Sequence, residues 1–294
     1  MIKPFGGIYP ALLTPFTQDN TVNESALKRL IEYNVKKGVN GFYVTGSTGE
    51  AFLLSMEERK QIMKLVKDTV NGRCKLIAHV GCIATHLAIE LAKYAEELGY
   101  DAVSSVAPYY YKFSFAEVKQ YYFDIADSVS LPVIIYNIPS FSGVNLSVEN
   151  LNEFLKDERF IGIKHTTNDY FALEQFSSAH PDKVFYNGFD EMMLAGLSMG
   201  ADGAIGSTFN FMAEKFIKLT ALFKANKIQE AQILQQEINK IIAILCKVGV
   251  MAGEKEVLNQ LGFDFGDCRP PFKKLTKEEK RLITEQIMPF VEAE

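Results

Sequence analysis

Through the first two-thirds of the chain, short apolar runs alternate with longer segments whose apolar positions recur at helical spacing. The runs are rich in β-branched and aromatic residues with little polar alternation, the pattern of strands covered on both faces. Residues 7–13 form the first run, and a helix follows over 23–38, with Gly38 just past its end. Gly41–Val44 is the second run, and Ser55 with Glu58 makes a capping-box pair that opens the next helix. Runs at 75–80 and Ala102–Val106 flank a helix over 85–99 whose stripe is Ala88, Leu91, Ala92, Ala95 and Leu98. Beyond it the alternation continues with helices at 115–127, 147–155, 169–179 and 192–199. Strands lie between and after them at 132–136, 160–164, 184–186 and 201–205. Eight strands alternating with helices predict the α/β class, as a (β/α)8 TIM barrel over residues 1–210. Residues 211–294 show no further strand. Ile233, Leu234, Ile238, Ile241, Ile242 and Leu245 predict two or three helices within 215–247, as a C-terminal helical extension packed on the barrel. A doubly wound open sheet is the competing architecture. It announces its ligand with a glycine fingerprint after the first strand, where this chain has Thr14, Pro15 and Phe16.

Composition narrows the function classes. With 294 residues, 48 % hydrophobic and 23 % charged, the chain is long enough for a sizeable core. A net charge of −5 gives no basic excess for nucleic acid or an anionic membrane surface, so an acidic substrate needs a local site. No stretch has the uninterrupted apolar length of a membrane span, and residues 1–7 lack the apolar core of a signal peptide. Cys74, Cys82, Cys246 and Cys268 are scattered, which predicts a reduced, cytoplasmic protein with neither disulfides nor structural zinc. His79, His86, His165 and His180 show no metal-ligand spacing, and no dinucleotide fingerprint is present, so neither a metal nor an organic cofactor is expected. His79 reads as a core histidine.

In a barrel, chemistry belongs at the C-terminal ends of the strands. Lys164 terminates one of them. Burial favours the neutral amine, which can attack a ketone and form a Schiff base; the alternative is a snorkelling lysine whose stem covers apolar surface. Ser47 and Thr48, between Gly46 and Gly49, suit a nest for a carboxylate or phosphate, or an ordinary turn before a helix. The glycines of 200–207 offer a second candidate for a phosphate cup, with Ser207 at its end. Tyr136, one strand from Lys164, is an acid–base candidate or a core tyrosine. Tyr109, Tyr110 and Tyr111 suit a subunit interface or a lid. Asp190 and Glu191 suit sugar hydroxyls or the first turn of a helix.

Read as motifs, Gly46-Ser-Thr-Gly-Glu50, Tyr136-Asn-Ile-Pro139, Gly162-Ile-Lys-His-Thr166, Tyr186-Asn-Gly-Phe-Asp-Glu191 and Gly200-Ala-Asp-Gly-Ala-Ile-Gly-Ser207 resemble the pyruvate-dependent class I aldolases. This is the family of dihydrodipicolinate synthase and N-acetylneuraminate lyase, and the resemblance is nearest to the lyase branch. It implies a homotetramer of barrels that reversibly cleaves N-acetylneuraminate, a sugar acid, to pyruvate and N-acetylmannosamine without metal, in sialic acid breakdown. Lys164 would form the imine, and Ser47 and Thr48 would hold the keto-acid carboxylate. Tyr136 would move the proton of the C4 hydroxyl. Thr166, Gly188, Asp190, Glu191 and Ser207 match sugar-chain positions, and Tyr110 matches a tyrosine that reaches into a neighbouring subunit's site. Dihydrodipicolinate synthase differs after the fifth strand, where an arginine binds the second carboxylate. This chain has Phe141 there, which removes the bidentate anchor. Lyases for other 2-keto-3-deoxy sugar acids share the lysine and tyrosine, and a pyruvate-binding barrel without catalysis is a remote alternative.

Overall fold

The computed structural model describes residues 3–144 and 146–291. The signal-peptide reading and the outer limits of the two proposed domains therefore fall partly outside the described residues. Eight parallel strands are hydrogen-bonded in the order β1-β8-β7-β6-β5-β4-β3-β2. They are β1 (Gly7–Pro10), β2 (Gly41–Val44), β3 (Lys75–His79), β4 (Ala102–Val106), β5 (Val133–Asn137), β6 (Phe160–His165), β7 (Val184–Asn187) and β8 (Gly203–Gly206). The bridge between Ala11 and Tyr43 joins β1 to β2 and closes the barrel.

The helices between them are α1 (Glu24–Lys37), α2 (Met56–Val70), α3 (Thr85–Glu97), α4 (Phe115–Ser128), α5 (Pro139–Ser142), α6 (Val148–Leu155), α7 (Tyr170–Ala179) and α8 (Met193–Ser198). Their starts follow from local chemistry. Asn23 caps α1 by accepting from Ala26 N–H, and Gly38 ends it in a left-handed conformation. Ser55 and Glu58 complete the expected capping box at α2.

After β8 come α9 (Phe209–Lys224), α10 (Ile228–Val248), α11 (Val250–Gln260), α12 (Lys277–Gln286) and α13 (Met288–Val291). Helix α9 packs on β1 and α1, the place of a barrel's eighth helix. A division at residue 210 therefore runs through the barrel's own last helix, and one hydrophobic core continues from the barrel into α10 and α11. Beyond Pro10 the Ala11 and Leu12 N–H groups still donate to the Gly206 and Tyr43 carbonyls of β8 and β2, and this pairing ends where the Leu13 N–H turns to the Asn210 side chain. Strand β8 starts later than its apolar run, since the Ala201 N–H is taken by the Gly196 carbonyl at the end of α8.

Two packed layers result. Side chains outside the strands meet the helices, while Tyr9, Tyr43, Ile77, Ile134, Tyr136, Tyr186 and Ile205 fill the barrel interior. The glycine that opens β8 serves close packing. A Cβ on Gly203 would stand 1.9 Å from the Gly7 carbonyl oxygen, so this glycine lets β8 approach β1.

Candidate functional site

The register of the sheet assembles the site. Tyr136 on β5 is the partner of Lys164 on β6, which is in turn the partner of Tyr186 on β7. Both tyrosines point into the barrel, so Lys164 does too. Its ammonium lies 4.1 Å from the Tyr136 ring centroid and 4.6 Å from that of Tyr43, and the residue is 4 % exposed. Burial lowers the Lys164 pKa to about 7, with the charge of Asp190 working against that shift. The aromatic faces favour a cation less than water does, and the result is an amine that is substantially neutral near pH 7.

Above it lies a cavity of about 420 Å³. Ser47, Thr48, Tyr136, Lys164, Thr166, Gly188, Asp190, Glu191 and Ser207 all line it. The loop after β2 folds back on itself, its Gly49 and Ala51 N–H groups bonding to the Gly46 carbonyl, while Ser47 and Thr48 face the cavity. Glu50, just beyond, anchors that loop. Its carboxylate meets Lys255 at 2.5 Å and accepts from the Arg269 N–H at 2.8 Å. Burial pushes the Tyr136 phenol up to about 12, partly offset by the Ser47 and Thr166 hydroxyls. Gly188 is required by close approach, because a Cβ there would lie 1.9 Å from Thr166 Oγ1.

Asp190 is buried, and its Oδ2 accepts from both the N–H and the hydroxyl of Thr208, at 2.9 and 2.7 Å. Burial raises its pKa to about 6, against the pull of those bonds; Glu191 raises it further and Lys164 lowers it. Glu191 stands exposed on the rim. Ser207 donates to Glu254 on α11 at 2.6 Å, and burial raises that acid to about 8. The wall opposite the strand ends comes from α10 and α11, through Ile242, Cys246 and the segment 248–252.

Tyr110 is the one expected catalytic residue that does not join this cavity. It is 84 % exposed, with a φ of 78°, beside Tyr111. Phe141 does face the cavity from α5. Sequence reasoning passed over Tyr43, Thr208 and Glu254. Tyr43 shares a strand face with the interior and stands four residues before Ser47, and Thr208 directly follows Ser207. Glu254 begins the charged run Glu254-Lys255-Glu256, which reads as a solvated face yet is wholly buried. His79 is a satisfied core residue, with Nδ1 on the Thr45 carbonyl and Nε2 receiving the Val106 N–H. Among the described residues, no three His, Cys, Asp or Glu side chains come together as a metal site. No helix among them is long and apolar enough to cross a membrane.

Known proteins resemble the chain in sequence and fold. Residues 4–288 match the Dihydrodipicolinate synthetase family. The N-acetylneuraminate lyase of Rhizobium meliloti (strain 1021) is 44 % identical over 285 residues, 97 % of this chain and 95 % of that protein. CdNal from Clostridium difficile, solved in complex with mannosamine, superposes with a TM-score of 0.95 at 41 % identity, covering 97 % of this chain and 99 % of that one. The dihydrodipicolinate synthase DapA-2 of Bacillus anthracis also superposes, with a TM-score of 0.92 at 31 % identity, covering 97 % and 98 %. With a strand-end lysine buried under a hydroxyl-lined cavity and a family match over nearly its whole length, the chain belongs to the dihydrodipicolinate synthetase family.

Proposed function

We propose that the chain is a class I aldolase that reversibly cleaves N-acetylneuraminate to pyruvate and N-acetylmannosamine, in sialic acid breakdown. The observation that carries this is the buried Lys164 amine, pulled to about 7, in one cavity with Ser47, Thr48 and Tyr136. The neutral amine adds to the C2 ketone and expels water, leaving a protonated imine. Tyr136 relays the proton of the C4 hydroxyl, passing its own phenolic proton to the substrate carboxylate as it accepts that one; the C3–C4 bond breaks, and its electrons flow to the imine nitrogen. An enamine and an aldehyde result. The enamine takes a proton at C3, and water releases pyruvate from Lys164. The imine is the electron sink, so the reading calls on no metal or organic cofactor.

Specificity for a neutral sugar over an anionic aldehyde is supported by two side chains. Phe141 on the cavity edge offers no bidentate grip for a second carboxylate, and Glu191 on the rim repels one. The name of the Rhizobium meliloti relative and the mannosamine bound to CdNal point the same way. A homotetramer is part of the same reading: the exposed Tyr110 would enter a neighbouring subunit's site and support its Tyr136. Four free cysteines suit a cytoplasmic setting.

Borohydride with pyruvate should add a three-carbon acid to the peptide holding Lys164, and label elsewhere would reject the assignment. N-Acetylneuraminate should release pyruvate far faster than pyruvate condenses with aspartate semialdehyde. The reverse preference would make the chain a dihydrodipicolinate synthase.

A further inference from the structure

Ser207 and Glu254 form a pair that the proposed bond cleavage does not use. Ser207 lines the cavity, beyond the end of β8, whereas Glu254 lies behind it on α11 and is fully buried. The serine hydroxyl donates to Glu254 Oε1 at 2.6 Å. The other oxygen, Oε2, is buried with no hydrogen-bond partner among the described residues. A buried acid with an unpartnered oxygen is a poor device for stability, since an apolar residue of similar size would leave nothing unsatisfied. Its effect falls on Ser207. A hydroxyl has one proton and two lone pairs. With the proton held behind the wall, only lone pairs face the cavity.

We propose that Glu254 is a positioning residue that fixes Ser207 as a hydrogen-bond acceptor, so that this end of the cavity selects a free hydroxyl over a capped one. The inference rests on the sugar-acid reading above and adds which form of the chain is admitted. Oε1 accepts the serine proton as the oxygen of a carboxylate or as the carbonyl of the neutral acid. A ligand hydroxyl can donate to the waiting lone pairs. An O-methyl or O-acetyl group at the same place cannot, and it leaves Ser207 unsatisfied.

The test uses N-acetylneuraminate and a series singly O-methylated at the hydroxyls beyond C6, leaving free the C4 hydroxyl that the cleavage consumes, with KM and kcat for pyruvate release. One capped member should show a KM roughly tenfold above the parent, as expected for losing one hydrogen bond in a dry site. Glu254→Leu should bring that ratio to within about threefold, by freeing the Ser207 proton to turn toward an acceptor, while Glu254→Gln keeps it. Ser207→Ala should collapse the ratio as well, so the question stays answerable should Glu254→Leu fail to fold. Trapping of pyruvate at Lys164 should be unchanged in both Glu254 variants.

No discrimination in the unaltered protein overturns the inference. So does a ratio that persists in Glu254→Leu or Ser207→Ala, or one lost equally in Glu254→Leu and Glu254→Gln. Failure of the parent compound to yield pyruvate would overturn the functional reading along with it. Normal cleavage with an unmoved ratio sinks the inference alone.

Discussion

Lys164 and Lys255 are buried to nearly the same degree, at 4 % and 1 % exposure, and sit in opposite electrostatic company. Lys255 meets the Glu50 carboxylate at 2.5 Å, donates to the Asp267 carbonyl and lies over the Phe16 ring. Lys164 has two tyrosine faces, and no carboxylate comes within ion-pair distance of it among the described residues. Burial lowers both lysines' pKa values, but Glu50 counters it at Lys255, whereas at Lys164 only the more distant Asp190 does. Lysine burial alone therefore says little. A buried lysine with its counter-ion ties the β2 loop to α11; a buried lysine without one is left free for the nucleophilic role proposed above.

The largest effect that would break this contrast is expected from Lys164→Met. Sugar-acid cleavage should fall by at least roughly 10⁴-fold, since the covalent route is lost. The folded state should become more stable at neutral pH. The sign follows from the lowered pKa: between the unfolded value of 10.5 and about 7 folding must discard a proton that the unfolded chain holds, below about 7 it must bury the charge instead, and the cost, absent above 10.5, is fully present below about pH 7. A urea titration showing Lys164→Met less stable than the parent would contradict the account. Lys255→Met should behave oppositely. It strands Glu50 in the core and should cost roughly 3–5 kcal/mol in the same titration. Adding Glu50→Gln should recover part of that loss.

A smaller effect concerns pH. The rate of pyruvate trapping by cyanoborohydride should drop about tenfold per unit below about pH 7 and level off above it. A profile that continues to rise toward pH 10 would mean that Lys164 carries an ordinary ammonium. The smallest change is expected from Phe141→Arg, whose cation competes for Glu191 at the rim. KM for the sugar acid should rise about fivefold, near 1 kcal/mol, with pyruvate trapping unaltered. An unchanged KM would show that α5 does not meet the substrate.

Much of this was legible in the sequence where one local rule decides the outcome. Strands β2 and β4 fall where their apolar runs do, and the α2 capping box is where Ser55 and Glu58 place it. Nine of the ten site residues named from the sequence line one cavity; strand ends share one rim, and the family resemblance alone supplied Thr166 and Gly188. What was not legible depended on distant partners. The end of β1 is decided by Asn210, almost two hundred residues on. Helix α5 is too short to leave a periodic trace. The run Glu254-Lys255-Glu256 looks like surface in any window, and partners elsewhere in the chain make its burial tolerable: Ser207 for Glu254, Glu50 and Asp267 for Lys255, and Lys280 for Glu256. Tyr110 differs again: it stands 84 % exposed against the Tyr111 ring, away from the cavity.

The wall that α10 and α11 lend to the cavity carries one more consequence. The Lys164 nitrogen proposed to react sits on the barrel, but the dryness around it is partly made by a segment to which the proposal gives no reacting atom. Any change that loosened this seam would admit water, restore the proton to the amine and silence the reaction with every catalytic side chain still in place. Damage to such a joint would look like a chemical defect in a rate assay and like a small hinge opening in hydrogen exchange.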